Sequence, residues 1–140
     1  MQQNTLEKVD LVNNPPHYRG HPSGIECIEI TENLNFNRGN AIKYAWRAND
    51  KGCTAQDLQK CEWYIKREII RTQRGVLAAW RNIEIEYFYD KLYLHYLKAD
   101  DRRFFSFVEH IIFGKKDGLE SALKIVESWI EELSDAKAKQ

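Results

Sequence analysis

Proline is scarce in this chain of 140 residues: there are three, Pro15, Pro16 and Pro22, all near the start. Glycine numbers only seven, and together these counts exclude collagen-like and low-complexity chains. The three cysteines, Cys27, Cys53 and Cys61, are too few for a disulfide framework and fit a reducing compartment. No Cys-x-x-Cys pair occurs, so the common zinc pattern is missing. No apolar run approaches the roughly 18 residues of a membrane span. The opening Met1–Glu7 stretch is polar, without a basic-then-apolar leader. Neither a G-x-x-x-x-G-K-[ST] phosphate loop nor a G-x-G-x-x-G turn is present. The expectation is a soluble, cytoplasmic protein with no membrane partner.

What the chain does hold is a core. Hydrophobic residues make up 43%, with four Trp, seven Tyr and six Phe, which argues against intrinsic disorder. A net charge of one sign is absent, since 21 Lys and Arg balance 21 Asp and Glu. The balance is uneven along the chain. Residues 1–37 carry two basic and five acidic side chains, whereas residues 38–74 carry nine basic and four acidic. Anionic ligands therefore belong to the middle third. The pI of about 6.9 lies far below the value above about 9 typical of nucleic-acid-binding domains. A small phosphate-bearing ligand suits this balance better than a long polyanion.

The apolar spacing predicts an all-α fold, with helical hairpins packed as a small bundle behind an irregular N-terminal arm, 1–22. A basic hairpin region covers 23–74 and an aromatic-rich helical region covers 75–140. Ser23-Gly24-Ile25-Glu26 matches a capping box opening a short helix over about 24–33. Asn37-Arg38-Gly39-Asn40 breaks the pattern and opens a second helix over about 40–49, with Ile42, Ala45 and Trp46 inward. A third helix starts at a second capping box, Thr54 to Asp57, and runs to about 73 on Leu58, Cys61, Ile65 and Ile69, with Trp63 or Tyr64. A fourth spans about 76–98, with Leu77, Trp80, Ile83, Phe88 and Leu92. Phe104, Phe107, Val108, Ile111 and Ile112 mark a fifth, and Leu119–Leu133 the last. The order of helix, Lys- and Gly-bearing turn, and helix at 40–65 echoes at about 105–130, Gly118 falling 66 residues after Gly52. Duplication explains this, and so does any pair of helical hairpins.

The stretch from Gly39 to Gly52 carries the chemistry. On a helix, Asn40, Lys43, Arg47 and Lys51 fall at i, i+3, i+7 and i+11, on one stripe. Aligned cations repel unless an anion sits between them. Arg grips phosphate bidentately and Lys supplies a mobile charge, while Gly39-Asn40 stands where helix N-terminal amides would add donors. The bland alternative is a solvated basic face. The next helix supplies Asp57, Lys60 and Tyr64 at i, i+3 and i+7, a row that an antiparallel hairpin turns towards Lys43 and Arg47. Asp57 then orients a cation or a substrate hydroxyl, although it reads more simply as the third helical position of the capping box begun by Thr54. Tyr44 and Tyr64 read more simply as core-edge aromatics than as base platforms. His17 and His21 stand among prolines, and His95 and His110 read as packing or surface residues. Glu26 and Glu29 share a helix face that could hold a metal, but Glu26 is better explained as a cap and no second acidic pair supports such a site. No metal site is expected.

These motifs also carry a resemblance. His17-Tyr18, Gly24-Ile25-Glu26-Cys27-Ile28-Glu29, Gly39-Asn40-Ala41-Ile42-Lys43-Tyr44 with Arg47, Lys51 and Gly52, and Asp57-Leu58 with Lys60 and Trp63-Tyr64-Ile65 resemble a family of small bacteriophage proteins. They are the SaV-like proteins, which include the nucleotide kinases of T-seven-like phages. The resemblance covers about residues 16–70; residues 75–140 resemble nothing named. The chain departs from the family pattern at Glu29, Asn49 and Cys61, and the change at Asn49 touches the turn that presents Lys51.

The resemblance implies phosphorylation of deoxynucleoside monophosphates, notably dTMP and dGMP, with a nucleoside triphosphate as donor, no metal and no resident cofactor, in a homo-oligomer. Phosphoryl transfer needs positioning and neutralisation of developing charge. Lys43, Arg47, Lys51 and Lys60 are then the phosphate ligands, Asn40 and Asp57 the orienting residues. Tyr44, Tyr64, His17 and Tyr18 are the base or sugar contacts, and Lys43, Arg47 and Asp57 the catalytic set. Two other readings compete: sequestration of nucleotides or cyclic nucleotides without turnover, and a nucleic-acid-binding or host-interaction role. The aromatic second half offers either a subunit interface or simply core.

Overall fold

The computed structural model describes residues 23–49, 55–74, 83–99 and 102–138. Among these there are six helices and no strand, so the all-α expectation holds. The N-terminal arm and the Thr54 cap lie outside the described residues.

Helix α1 is the short Cys27–Thr31, three residues later than the Ser23 capping box implies. Gly24 adopts φ +78°, a left-handed turn that no right-handed helix contains. Ser23 Oγ instead accepts from the Ile25 amide at 3.2 Å. Glu26 is the N-cap, its own amide donating to Glu29 Oε2 at 2.7 Å. The two carboxylates read as a weak metal pair are thus spent on helix initiation.

Helix α2, Phe36–Asn49, begins four residues before the expected start. Asn35 caps it, Oδ1 accepting from the Arg38 amide at 3.0 Å. The supposed breaker Asn37–Asn40 is therefore helix. Gly39 sits inside it because α1 passes close by, a Cβ there falling 3.1 Å from the Thr31 carbonyl oxygen. Helix α3, Ala55–Gln73, keeps the expected bounds and buries Leu58, Cys61 and Ile65. Burying each of its large aliphatics contributes about 1.5–3 kcal/mol. Tyr64 is half-buried, and Trp63 is 59% exposed.

Helices α4, Ile83–Ala99, α5, Arg102–Phe113, and α6, Lys116–Ala138, complete the chain. All five residues expected to face inward on α5 are buried. Helix α2 packs on α3 and α5, α6 packs on α3 and α5, and α4 lies across α5 and α1. One buried cluster runs through both halves from Ile25 to Trp129. The Trp46 and Phe104 rings meet edge to face at 5.8 Å where α2 crosses α5. The second-half aromatics mostly join this core: Tyr96, Phe104 and Phe107 are buried, and Phe88, Tyr89, Phe105 and Phe113 pack against it. Tyr87, Tyr93 and Leu94 remain exposed on α4.

The echo in the sequence has a structural counterpart in the helices, but not at the glycine: Gly118, expected in a turn, lies inside α6. Buried Arg38, Ala41, Ile42, Ala45 and Trp46 of α2 recur 66 residues on as buried Phe104, Phe107, Val108, Ile111 and Ile112 of α5. Leu58, Cys61, Ile65 and Glu68 of α3 recur 61 residues on as Leu119, Ala122, Val126 and Trp129 of α6. The helix starts obey the same offsets. Two hairpins of one packing pattern thus lie against each other, and only the first carries the basic row.

Candidate functional site

The antiparallel α2–α3 hairpin brings the two polar rows together, because Ile42, Ala45, Leu58 and Cys61 share the core beneath them. Near its turn, Arg47 Nε lies 3.8 Å from Asp57 Oδ2; the Asp57 side chain is 14% exposed and that of Arg47 37%. One turn further from the connection, Tyr44 faces Lys60 and Tyr64. The Lys43 Nζ stands 4.4 Å from the centre of the Tyr44 ring, and the Lys60 Nζ, from the other helix, stands 5.3 Å from it. Tyr44 and Tyr64 stack at 5.9 Å with an interplanar angle of 11°. The edges around Tyr64 are filled by Phe36 at 5.8 Å and Trp63 at 5.0 Å.

The π-face of Tyr44 attracts both ammonium groups, which offsets part of the repulsion between them. Two cations from different helices are thereby held beside one ring, with the Arg47–Asp57 pair one turn away. Such a face suits a multiply charged anion.

Seven expected site residues can thus be placed. Lys43, Tyr44, Arg47, Asp57, Lys60 and Tyr64 converge on one face of the hairpin. Asn40 stands at the end of α2 away from the turn, half-buried, its Nδ2 donating to the Phe36 carbonyl at 2.8 Å. The row Asn40, Lys43, Arg47 is therefore shared between two neighbours: Arg47 meets α3, whereas Asn40 and Lys43 border a shallow pocket against α1. His17, Tyr18 and Lys51 lie outside the described residues. The idea that Gly39-Asn40 exposes amides at a helix start is corrected: the Gly39 amide donates to the Asn35 carbonyl at 2.9 Å, so those donors are already used. Among the described residues no three His, Cys, Asp or Glu side chains come together as a metal site.

Three features were not legible in the sequence. Phe36 is 73% exposed at the first position of α2; the signal was Asn35, a good N-cap residue immediately before it. Arg38 and Glu68 are buried at 1% and 0% exposure. Arg38 Nη1 donates to the Ile111 and Gly114 carbonyls at 2.7 and 2.8 Å, capping the C-terminus of α5. Burial pushes the Arg38 guanidinium down from its ordinary value and Glu68 pulls it back up; arginine starts so high that it remains charged.

The match to known proteins falls on this hairpin. A family model described as a protein of unknown function (DUF3310) matches residues 12–66, a span holding α1, α2 and α3 as far as Lys66. The first half of the chain thus carries a domain of unknown function that includes every placed site residue. No curated protein and no solved structure matches the chain.

Proposed function

We propose that the protein binds nucleotide phosphates on the α2–α3 face and transfers the terminal phosphoryl group of a nucleoside triphosphate to a deoxynucleoside monophosphate such as dTMP or dGMP. Each turnover then yields two diphosphates. The observation that carries the reading is the convergence of Lys43 and Lys60, from two helices, on the Tyr44 ring. Charge neutralisation is the main demand of phosphoryl transfer, and Arg47, oriented by Asp57, extends the same charge. The resemblance to the bacteriophage nucleotide kinases supports the choice of substrate and of a phage protein acting in the host cytoplasm. The exposed Tyr87, Tyr93 and Leu94 support assembly into a homo-oligomer, which light scattering tests.

The openness of the face favours a second reading, capture without turnover. Lys60 is exposed, and water exclusion is a usual companion of group transfer. Calorimetric titration with deoxynucleoside mono- and triphosphates, followed by anion-exchange separation of the same mixtures with and without magnesium, decides between them. Diphosphate product establishes the kinase. Binding without product establishes sequestration, and absence of both removes the nucleotide reading in favour of nucleic acid or a host protein.

A further inference from the structure

Resting on the nucleotide reading above, we infer that the nucleobase does not stack on Tyr44 or Tyr64 but lies in the pocket between α1 and the first turns of α2, against Phe36 and Ile28. The two tyrosines already occupy each other. Their rings stack nearly parallel, two lysines stand over Tyr44, and Phe36 and Trp63 close on Tyr64. A base entering there would have to break these contacts.

The pocket has a volume of about 290 Å³ and is bounded by Ile28 and Thr31 of α1, by Glu32, Leu34 and Asn35 of the connection, and by Phe36, Gly39, Asn40 and Lys43 of α2. Of its three large apolar lining residues, Leu34 packs on the core, whereas Ile28 at 53% and Phe36 at 73% exposure are uncovered. Gly39 lines it, and its missing side chain lets the Thr31 carbonyl of α1 approach. Phe36 offers an aromatic surface on which any base can stack. The Asn40 amide uses one Nδ2 hydrogen on the Phe36 carbonyl. Its Oδ1 and second N–H make the donor–acceptor pair that matches a base edge.

Lys43 joins the two subsites. It lines the pocket and stands over Tyr44 beside Lys60, so a base held by Phe36 directs its phosphate towards the cations of the hairpin. The occupant is therefore a nucleotide, with its aromatic base in the α1–α2 pocket and its charged end on the α2–α3 face.

The test separates base from phosphate. Affinities of a deoxynucleoside monophosphate and of 2-deoxyribose 5-phosphate are measured by NMR titration for the parent protein, Phe36→Ala, Ile28→Ala and Lys43→Ala. Phe36→Ala is expected to weaken the nucleotide by on the order of tenfold, the usual worth of a base stack, and to leave the sugar phosphate unchanged. Ile28→Ala acts in the same direction, and Lys43→Ala weakens both ligands. If Phe36→Ala and Ile28→Ala leave nucleotide affinity intact, or if they weaken both ligands equally, the pocket assignment is overturned while the phosphate site stands. If the parent protein binds neither ligand, the nucleotide reading fails and the pocket assignment with it.

Discussion

Arg38 and Glu68 face each other across the α2–α3 interface, Nε to Oε1 at 3.8 Å, with both side chains withdrawn from solvent. The pair is one part of a network. The same Glu68 oxygen accepts from Arg71 Nε at 2.9 Å and from Asn35 Nδ2 at 3.4 Å, while Arg38 reaches the end of α5. At the equivalent places of the second hairpin stand Phe104 and Trp129. The first hairpin thus uses charge where the second uses aromatic packing. Arg38 Nε and Nη2 and Glu68 Oε2 find no hydrogen-bond partner among the described residues, so the network is costly to bury and specifies one arrangement rather than adding much net stability.

Removing either partner leaves a buried charge uncompensated. Arg38→Ala and Glu68→Ala are each expected to cost about 3–5 kcal/mol, a large share of the roughly 5–15 kcal/mol that holds a domain together. Urea denaturation followed by circular dichroism measures this. A loss under 1 kcal/mol in both would show that the network does not join the hairpins.

On the open face the balance reverses. Lys43→Ala and Lys60→Ala are expected to weaken deoxynucleoside monophosphate binding by about tenfold or more, since a hydrogen bond to a charged group contributes about 1.5–3 kcal/mol. Their melting temperatures should change little. Asp57→Asn should cost under about 1 kcal/mol of stability, because Arg47 is partly exposed and the 3.8 Å pair is long, yet lower turnover by leaving Arg47 unoriented. Calorimetry and product assay, read beside thermal melts, separate the two effects.

Gly114, between α5 and α6, and Gly118, in the first turn of α6, should behave oppositely. A Cβ on Gly114 would collide with the His110 carbonyl oxygen and with the backbone of Gly118, whereas one on Gly118 meets nothing closer than 3.6 Å. Gly114→Ala should therefore destabilise by about 1–3 kcal/mol, as overpacking does. Gly118→Ala, inside α6, should stabilise by about 0.5–1 kcal/mol. Paired denaturation curves check the contrast, which disappears if the turn relaxes.

Burial pushes the Cys27 thiol up to about 12, and burial with a smaller push from Glu62 raises Cys61 further. Both stay protonated in the folded protein after an unfolded chain has begun to ionise near 9. The unfolded state then binds fewer protons, so this contribution to stability is complete below about pH 9 and falls as pH rises from 9 towards 12. Denaturation midpoints at pH 7.5 and 10 should show the decline, and Cys27→Ser with Cys61→Ala should flatten it. Iodoacetamide labelling mapped by peptide mass should leave both residues unmodified until the protein unfolds.

The helices themselves were determined locally. The apolar period of α3, α5 and α6 lies in the sequence, and Phe104, Phe107, Val108, Ile111 and Ile112 all face the core as their spacing requires, because a helix buries whichever stripe is apolar. That the Asp57, Lys60 and Tyr64 row faces Lys43 and Arg47 follows almost as directly, since a short connection makes neighbouring helices antiparallel; that both lysines settle on the Tyr44 ring does not. The start of α2 did not follow. An arginine, a glycine and two asparagines look like a break until the Asn35 cap, the passing Thr31 carbonyl and the α5 carbonyls that receive Arg38 are in place. Those partners lie up to 76 residues away in the chain. The same displacement hid the pocket, because Phe36 becomes an exposed wall only once α2 begins at it. Residue periodicity decides which face of a helix is buried; where a polar or glycine residue sits is decided by what the fold brings against it.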